Sequence, residues 1–129
     1  MIKDGVIADT SVLVAFFKGE SEYVEEVNRL LQNNRLITTG IIIAEVLQGL
    51  KGVREEHRIS DLLVTLSPIE LTTDLWVKAG KMSLALRRKG VNLPLTDIAI
   101  AVLALEYDLY VFSLDKHFEK ILELKIYRI

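Results

Sequence analysis

The stretch VIADTSVLVAFF, residues 6–17, decides the fold. Val6, Ile7 and Ala8 form an apolar run of the length of a short strand, and Asp9 ends it. Thr10 and Ser11 then offer capping hydroxyls to a brief apolar helix that runs to Phe17. One strand, one acid and one helix within twelve letters suggest a chain built by alternation, with Asp9 at the hinge between two apolar elements.

Working outward, the alternation continues. Lys18-Gly19-Glu20 breaks the first helix, and Val24, Val27, Leu30 and Leu31 recur at helical spacing across 21–33 before a strand at 36–38. Residues 41–50 read as a buried helix, and 55–66 as an amphipathic one. A short strand is expected at 68–71. Thr72 or Thr73 caps the next helix, which runs to about Lys89 before Gly90 stops it. Pro94 opens a helix over 95–107. A strand at 109–112, a short helix at 116–122 and a last strand at 126–127 complete the chain. Strands separated by helices imply a three-layer α/β/α sandwich with a mainly parallel central sheet and right-handed crossovers.

Three further stretches share the peculiarity of the first. IIIAEVLQGL (41–50), LPLTDIAIAVLAL (93–105) and LYVFSLDKHF (109–118) are each core-building and each carries one acid, Glu45, Asp97 and Asp115. Burying an unpaired carboxylate costs several kcal/mol or forces it to neutralise, so four such placements ask for a common explanation. Singly, Asp9 and Asp115 read equally as helix caps, and Asp97 as a charge that complements a helix N-terminus. Glu45 lies mid-helix, where capping is not available. A divalent ion explains all four together, and oxygen ligands suit Mg²⁺ or Mn²⁺. The architecture supplies the meeting point, because ligands of open α/β sheets bind beyond the carboxyl ends of the strands, where Asp9 and Asp115 fall.

Composition limits the setting. The chain has 129 residues, half of them hydrophobic, 26% charged and only two Pro, which fits one domain over 1–129 with a substantial core. Zero Cys excludes disulfides, thiolate zinc sites and cysteine nucleophiles. The N-terminal letters MIKDGVIADT hold no apolar run with a cleavage pattern, and the most apolar window, 93–105, is too short to span a bilayer. A soluble cytoplasmic protein without a membrane partner is the expectation. A net charge of −2 does not by itself mark a nucleic-acid binder, and a local basic rim would be needed around an acidic pocket. Arg35, Lys51, Arg54, Arg58, Arg87, Arg88, Lys89, Lys116 and Lys120 are the candidates, each also readable as ordinary solvated surface. His117 reads equally as a phosphate contact or a turn cap. Trp76, Tyr23, Phe16 and Phe17 fit core or interface faces of helices.

Together, Asp9-Thr10-Ser11 after a strand, Glu45 in an apolar helix, Pro94-Leu95-Thr96-Asp97 opening a second one, and Ser113-Leu114-Asp115-Lys116-His117-Phe118 after another strand resemble the PIN domain. More closely, the chain resembles the VapC toxins of prokaryotic toxin–antitoxin pairs over essentially its whole length. The resemblance implies a metal-dependent endoribonuclease with Asp9, Glu45, Asp97 and Asp115 as catalytic metal-site acids and Thr10 and Ser113 as supporting hydroxyls. It also implies an RNA substrate, a cognate antitoxin and a homodimer. With that ligand set Asp9 and Asp97 are expected as the most direct ligands, and Glu45 and Asp115 as ligands through water or as orienters of the attacking water. Some relatives carry another acid two residues after the last, where this chain has His117, which leaves one metal or two open. A non-catalytic PIN-like RNA-binding or interaction module, or a housekeeping RNA-processing nuclease, remains the alternative. A receiver domain would need paired acids after the first strand, and a haloacid-dehalogenase-type phosphatase an Asp-x-Asp; Asp9 is followed by Thr10 and Ser11.

Overall fold

The computed structural model describes residues 3–129. Strand β1 (Val6–Ala8) leads into helix α1 (Thr10–Phe17), and α2 (Ser21–Gln32) into β2 (Leu36–Ile37). Helices α3 (Gly40–Gln48), α4 (Val53–Val64), α5 (Thr73–Arg88) and α6 (Leu95–Tyr107) follow. Strand β3 (Tyr110–Phe112), a 3₁₀ turn (Lys116–Lys120) and β4 (Lys125–Ile126) come last. The four strands form one sheet in the order β2-β1-β3-β4, and every pairing is parallel. With the six helices this is the expected three-layer α/β/α arrangement.

The central strands are β1 and β3, with β2 and β4 at the edges. Val6, Ile7 and Ala8 are all buried, as a parallel strand covered on both faces requires. Helix α6 behaves likewise, since Ile98 through Ala104 are buried without a polar stripe, and a helix apolar all round is an interior one. Helix α5 packs along α6, while α1 packs on α2 and α3. By contrast α2 is amphipathic, with Val27 and Leu30 inward. Among its buried positions is Glu26, whose carboxylate accepts from the Tyr127 hydroxyl at 2.6 Å and from Arg29. The Tyr127 bond, then Arg29, holds that carboxyl below the usual range.

Several expectations shift. The strand expected at 68–71 is a single bridge, Thr39 to Ile69, closed by the Ile69 N–H on the Thr38 carbonyl at 3.0 Å and Thr39 Oγ1 on the Ile69 carbonyl at 2.6 Å. Pro68 has no N–H to give, and Ser67 before it is left-handed at φ 51°, so no ladder propagates. The helix expected at 116–122 is the 3₁₀ turn, and the last strand lies one residue earlier than expected. Helix α1 is capped by Asp9 and not by the Thr10 and Ser11 hydroxyls. Its carboxylate accepts from the Val12 N–H. The Thr72 cap and the Gly90 stop at φ +81° stand as read, but α6 ends on left-handed Asp108 at φ 55°, a non-glycine stop. No helix among the described residues is long and apolar enough to cross a membrane.

Candidate metal centre

Strands β1 and β3 are neighbours in parallel register, with Ala8 opposite Phe112. The residues that follow them, Asp9 and Ser113, therefore emerge side by side at the same sheet edge. The Asp9 N–H continues the ladder to the Phe112 carbonyl at 3.0 Å, and the chain then turns into α1.

Asp9 is 4% exposed. Its Oδ1 accepts from Ser11 Oγ at 2.5 Å and from the Val12 N–H at 3.2 Å, and its Oδ2 accepts from Ser113 Oγ. The two serines also fasten the facing loop, since Ser11 Oγ accepts the Leu114 N–H at 3.0 Å and Ser113 Oγ the Asp115 N–H at 2.9 Å. Burial pushes the Asp9 carboxyl above its usual range, the Ser11, Ser113 and Val12 bonds pull the other way, and the charge of Asp115 adds to the rise. At Glu26, by contrast, the partner bonds outweigh burial, whereas at Asp9 burial outweighs three bonds. A carboxylate offers about four acceptor positions, so Asp9 has room for one more partner.

Glu45 projects from α3 and accepts from Thr10 Oγ1 at 2.8 Å, a bond that ties α3 to the first turn of α1. Asp97 stands in the first turn of α6 with its side chain 17% exposed. Burial raises its carboxyl; the bond and charge of His117 oppose this, and the charges of Asp115 and Glu45 reinforce it. Asp115 precedes the 3₁₀ turn at the cap position, yet its side chain makes no capping bond. The four acids are thus electrically linked around one edge, Asp9 to Asp115, and Asp115 and Glu45 to Asp97.

Within that edge one group is tightest. Asp97, Asp115 and His117 each present a ligand atom, and these atoms lie within 4.8 Å of one another. Two carboxylates and an imidazole nitrogen form a chemically sound donor set for a divalent cation. Asp9 and Glu45 lie outside the triangle, the first behind its serine clasp and the second on Thr10. Sequence reasoning assigned His117 to a phosphate or to its own turn, whereas its Nδ1 lies 3.3 Å from Asp97 Oδ2. It also overlooked Ser11, read only as a capping hydroxyl; the signal was its i+2 spacing from Asp9, a common local bond for serine.

A cavity of about 410 Å³ opens beside Asp115 but not beside Asp9, Glu45 or Asp97, and Ser113 and Lys116 share its wall with Tyr23, Phe112 and Tyr127. Of the basic candidates, Arg35 is engaged elsewhere, its Nε on the Asp4 carbonyl at 2.7 Å and its guanidinium over the Tyr127 ring. Lys51, Arg54, Arg58, Arg87, Arg88, Lys89, Lys116 and Lys120 are exposed. Trp76 is 44% exposed on α5, while Phe16, Phe17 and Tyr23 pack on the core.

The sequence family described as PIN domain matches residues 6–124. No curated protein matches. Among solved structures, the chain is similar to a DNA-bound VapBC complex from Salmonella typhimurium at TM-score 0.82 and 23% identity, covering 97% of this chain and 98% of that one. It is similar to a toxin-antitoxin complex from Klebsiella pneumoniae at TM-score 0.75 and 25% identity, covering 97% and 100%. A third likeness is to VapC20 of Mycobacterium tuberculosis, described as a sarcin-ricin loop cleaving toxin, at TM-score 0.70 and 17% identity over 90% and 94%.

Proposed function

The chain belongs to the PIN domain family, and on that premise we propose that it is a divalent-metal-dependent endoribonuclease, the toxin of a VapBC-type toxin–antitoxin pair. The observation that carries this is the gathering of Asp9, Glu45, Asp97 and Asp115 around one edge of the sheet, with Asp9 and Asp97 raised by burial and by the charge of Asp115, and Asp97 by that of Glu45 as well. Such repulsion is tolerable where a cation is the intended partner.

Asp97 and Asp115 supply the most open oxygens, Asp9 one remaining acceptor position, and Glu45 an oxygen that accepts no bond from a described residue. Bound there, Mg²⁺ or Mn²⁺ would lower the pKa of a water for attack on phosphorus and offset charge on the phosphate. The serine clasp fixes Asp9, and the Thr10 bond fixes Glu45, which orients the attacking water and takes its proton. Exposed Lys116, next to Asp115 on the cavity wall, meets the RNA backbone. The whole of residues 1–129 acts as one nuclease domain.

The toxin assignment draws on the likeness to toxin-antitoxin complexes over nearly the full length of both chains. It brings a cognate antitoxin as partner and a cytoplasmic setting with the RNA. A homodimer belongs to the same proposal, and half-exposed Trp76, Val77 and Leu84 on α5 offer an apolar face for it. The test is to incubate purified, antitoxin-free protein with a mixed RNA pool, with Mg²⁺, Mn²⁺ or chelator, and map the new ends. Cleavage in metal and none in chelator is the expected result. Intact RNA in every metal, with folded protein, overturns the proposal.

A further inference from the structure

Resting on the metal-site reading above, we propose that His117 is itself a metal ligand, and that the Asp97, Asp115 and His117 set selects a borderline divalent ion such as Mn²⁺ or Co²⁺ over Mg²⁺.

Geometry is the first support. The Nδ1 to Oδ2 separation of 3.3 Å between His117 and Asp97 is long for a charge-assisted hydrogen bond. It suits two ligands flanking one ion, because donors 2.0–2.2 Å from a common ion at right or tetrahedral angles stand roughly 3.0–3.5 Å apart. The third corner, an Asp115 oxygen, lies within 4.8 Å of both. Closing on an ion asks only for a small side-chain adjustment.

The backbones behind these three atoms are held by packing and hydrogen bonds. Asp97 rides on the first turn of the buried helix α6. His117 rides on the 3₁₀ turn, which Phe118, 1% exposed, nails into the core. Asp115 is aligned by its backbone N–H on Ser113 Oγ. Three donors carried on anchored elements form a preorganised site.

Donor chemistry then sets the preference. Mg²⁺ is hard, takes oxygen almost exclusively and keeps several waters, whereas Mn²⁺ and Co²⁺ accept imidazole beside carboxylate. An imidazole donor also brings no negative charge to the set, unlike a third carboxylate, and charge is most of what holds Mg²⁺. The remaining carboxylates, Asp9 and Glu45, are occupied by Ser11, Ser113, Val12 and Thr10, so they compensate only in part.

The test is Mn²⁺ titration of the whole protein followed by pulsed electron paramagnetic resonance, which detects a ligating ¹⁴N directly. The chain has two histidines, so His57→Asn is the control and His117→Asp the variant. The His117 side chain is 46% exposed, and a melt of each variant checks that it is folded. Wild type and His57→Asn should show nitrogen modulation, and His117→Asp should bind Mn²⁺ without it. In competition titrations, His117→Asp should lower the Mn²⁺ over Mg²⁺ preference by about tenfold or more. Mn²⁺ bound to wild type without a nitrogen signal, or an unchanged preference in the variant, overturns this inference and leaves the metal site standing. Binding by neither protein overturns the metal reading itself.

Discussion

Replacing Ser113 by Ala tests the serine clasp with one atom. The hydroxyl donates to Asp9 Oδ2, accepts from the Asp115 N–H and lies 3.5 Å from Ser11 Oγ. Water replaces it at exposed Asp115, but Asp9, at 4% exposure, has no such substitute. The lost bond is to a buried charged group, so the cost in chelator at neutral pH should be about 1.5–3 kcal/mol. An unfolding entropy near 2.1 cal/mol/K per residue over 129 residues makes each kcal/mol worth roughly 4 °C, so the melt should fall by about 6–11 °C.

The sign of its pH dependence is fixed as well. Asp9 is raised by burial against the pull of its hydrogen bonds, so its folded form favours low pH and loses that advantage as pH rises through its folded pKa. Ser113 stabilises the charged form, and its removal pushes the carboxyl higher still. The cost of Ser113→Ala should therefore be greatest near neutrality and shrink as acid protonates Asp9. In an Asp9→Asn background it should drop to about 0.5–1.5 kcal/mol, the range for a neutral hydrogen bond. Thermal and urea melts of the four proteins over a pH series measure all of this. The same loss in both backgrounds, independent of pH, would refute the clasp as a charge-stabilising device.

Two further outcomes follow from the site. Asp97→Asn should abolish metal-dependent RNA cleavage; because burial raises Asp97, the variant in chelator should be more stable than wild type at neutral pH, with the difference vanishing toward acid. Saturating metal should raise the wild-type melt, by about 2.7 kcal/mol at a hundredfold excess over Kd, and move the variant far less; equal shifts in melting scans would remove Asp97 from the site. Phe118→Ala should cost about 3–5 kcal/mol in urea denaturation, since a fully buried ring is deleted, and should weaken Mn²⁺ binding by loosening the turn that carries His117. Intact metal affinity in that variant would mean that the turn is positioned by other contacts.

What the letters revealed and what they hid differ by the range of the forces involved. β1, α5 and α6 were legible because a buried strand is an unbroken apolar run, Thr72 and Gly90 bracket a helix by local bonds, and Pro94 opens one by its fixed φ. The acids stood out because each interrupts such a run. The strand after Pro68 failed for want of a partner ladder, which no local pattern reveals. Asp108 ends α6 in a left-handed conformation that the sequence marks only weakly, since Asp tolerates it without requiring it. Membership of the inner triangle was invisible for a similar reason. His117 joins Asp97 across 20 residues only because the turn after β3 is packed against α6. Glu26 shows the converse, an acid in an ordinary amphipathic pattern that becomes buried through a tyrosine 101 residues away.

The serine clasp also sets a clock. Ser113 meets Asp9 across 104 positions of chain, and Asp115 and His117 come later still. While the chain emerges from the ribosome, α1 and α2 can form early, yet the set of acids is incomplete until β3 and the turn after it have been synthesised and β3 has paired with β1. A half-made chain therefore carries no complete site. The chemistry of the site thus begins only with the closing of the sheet, at the end of synthesis and not during it.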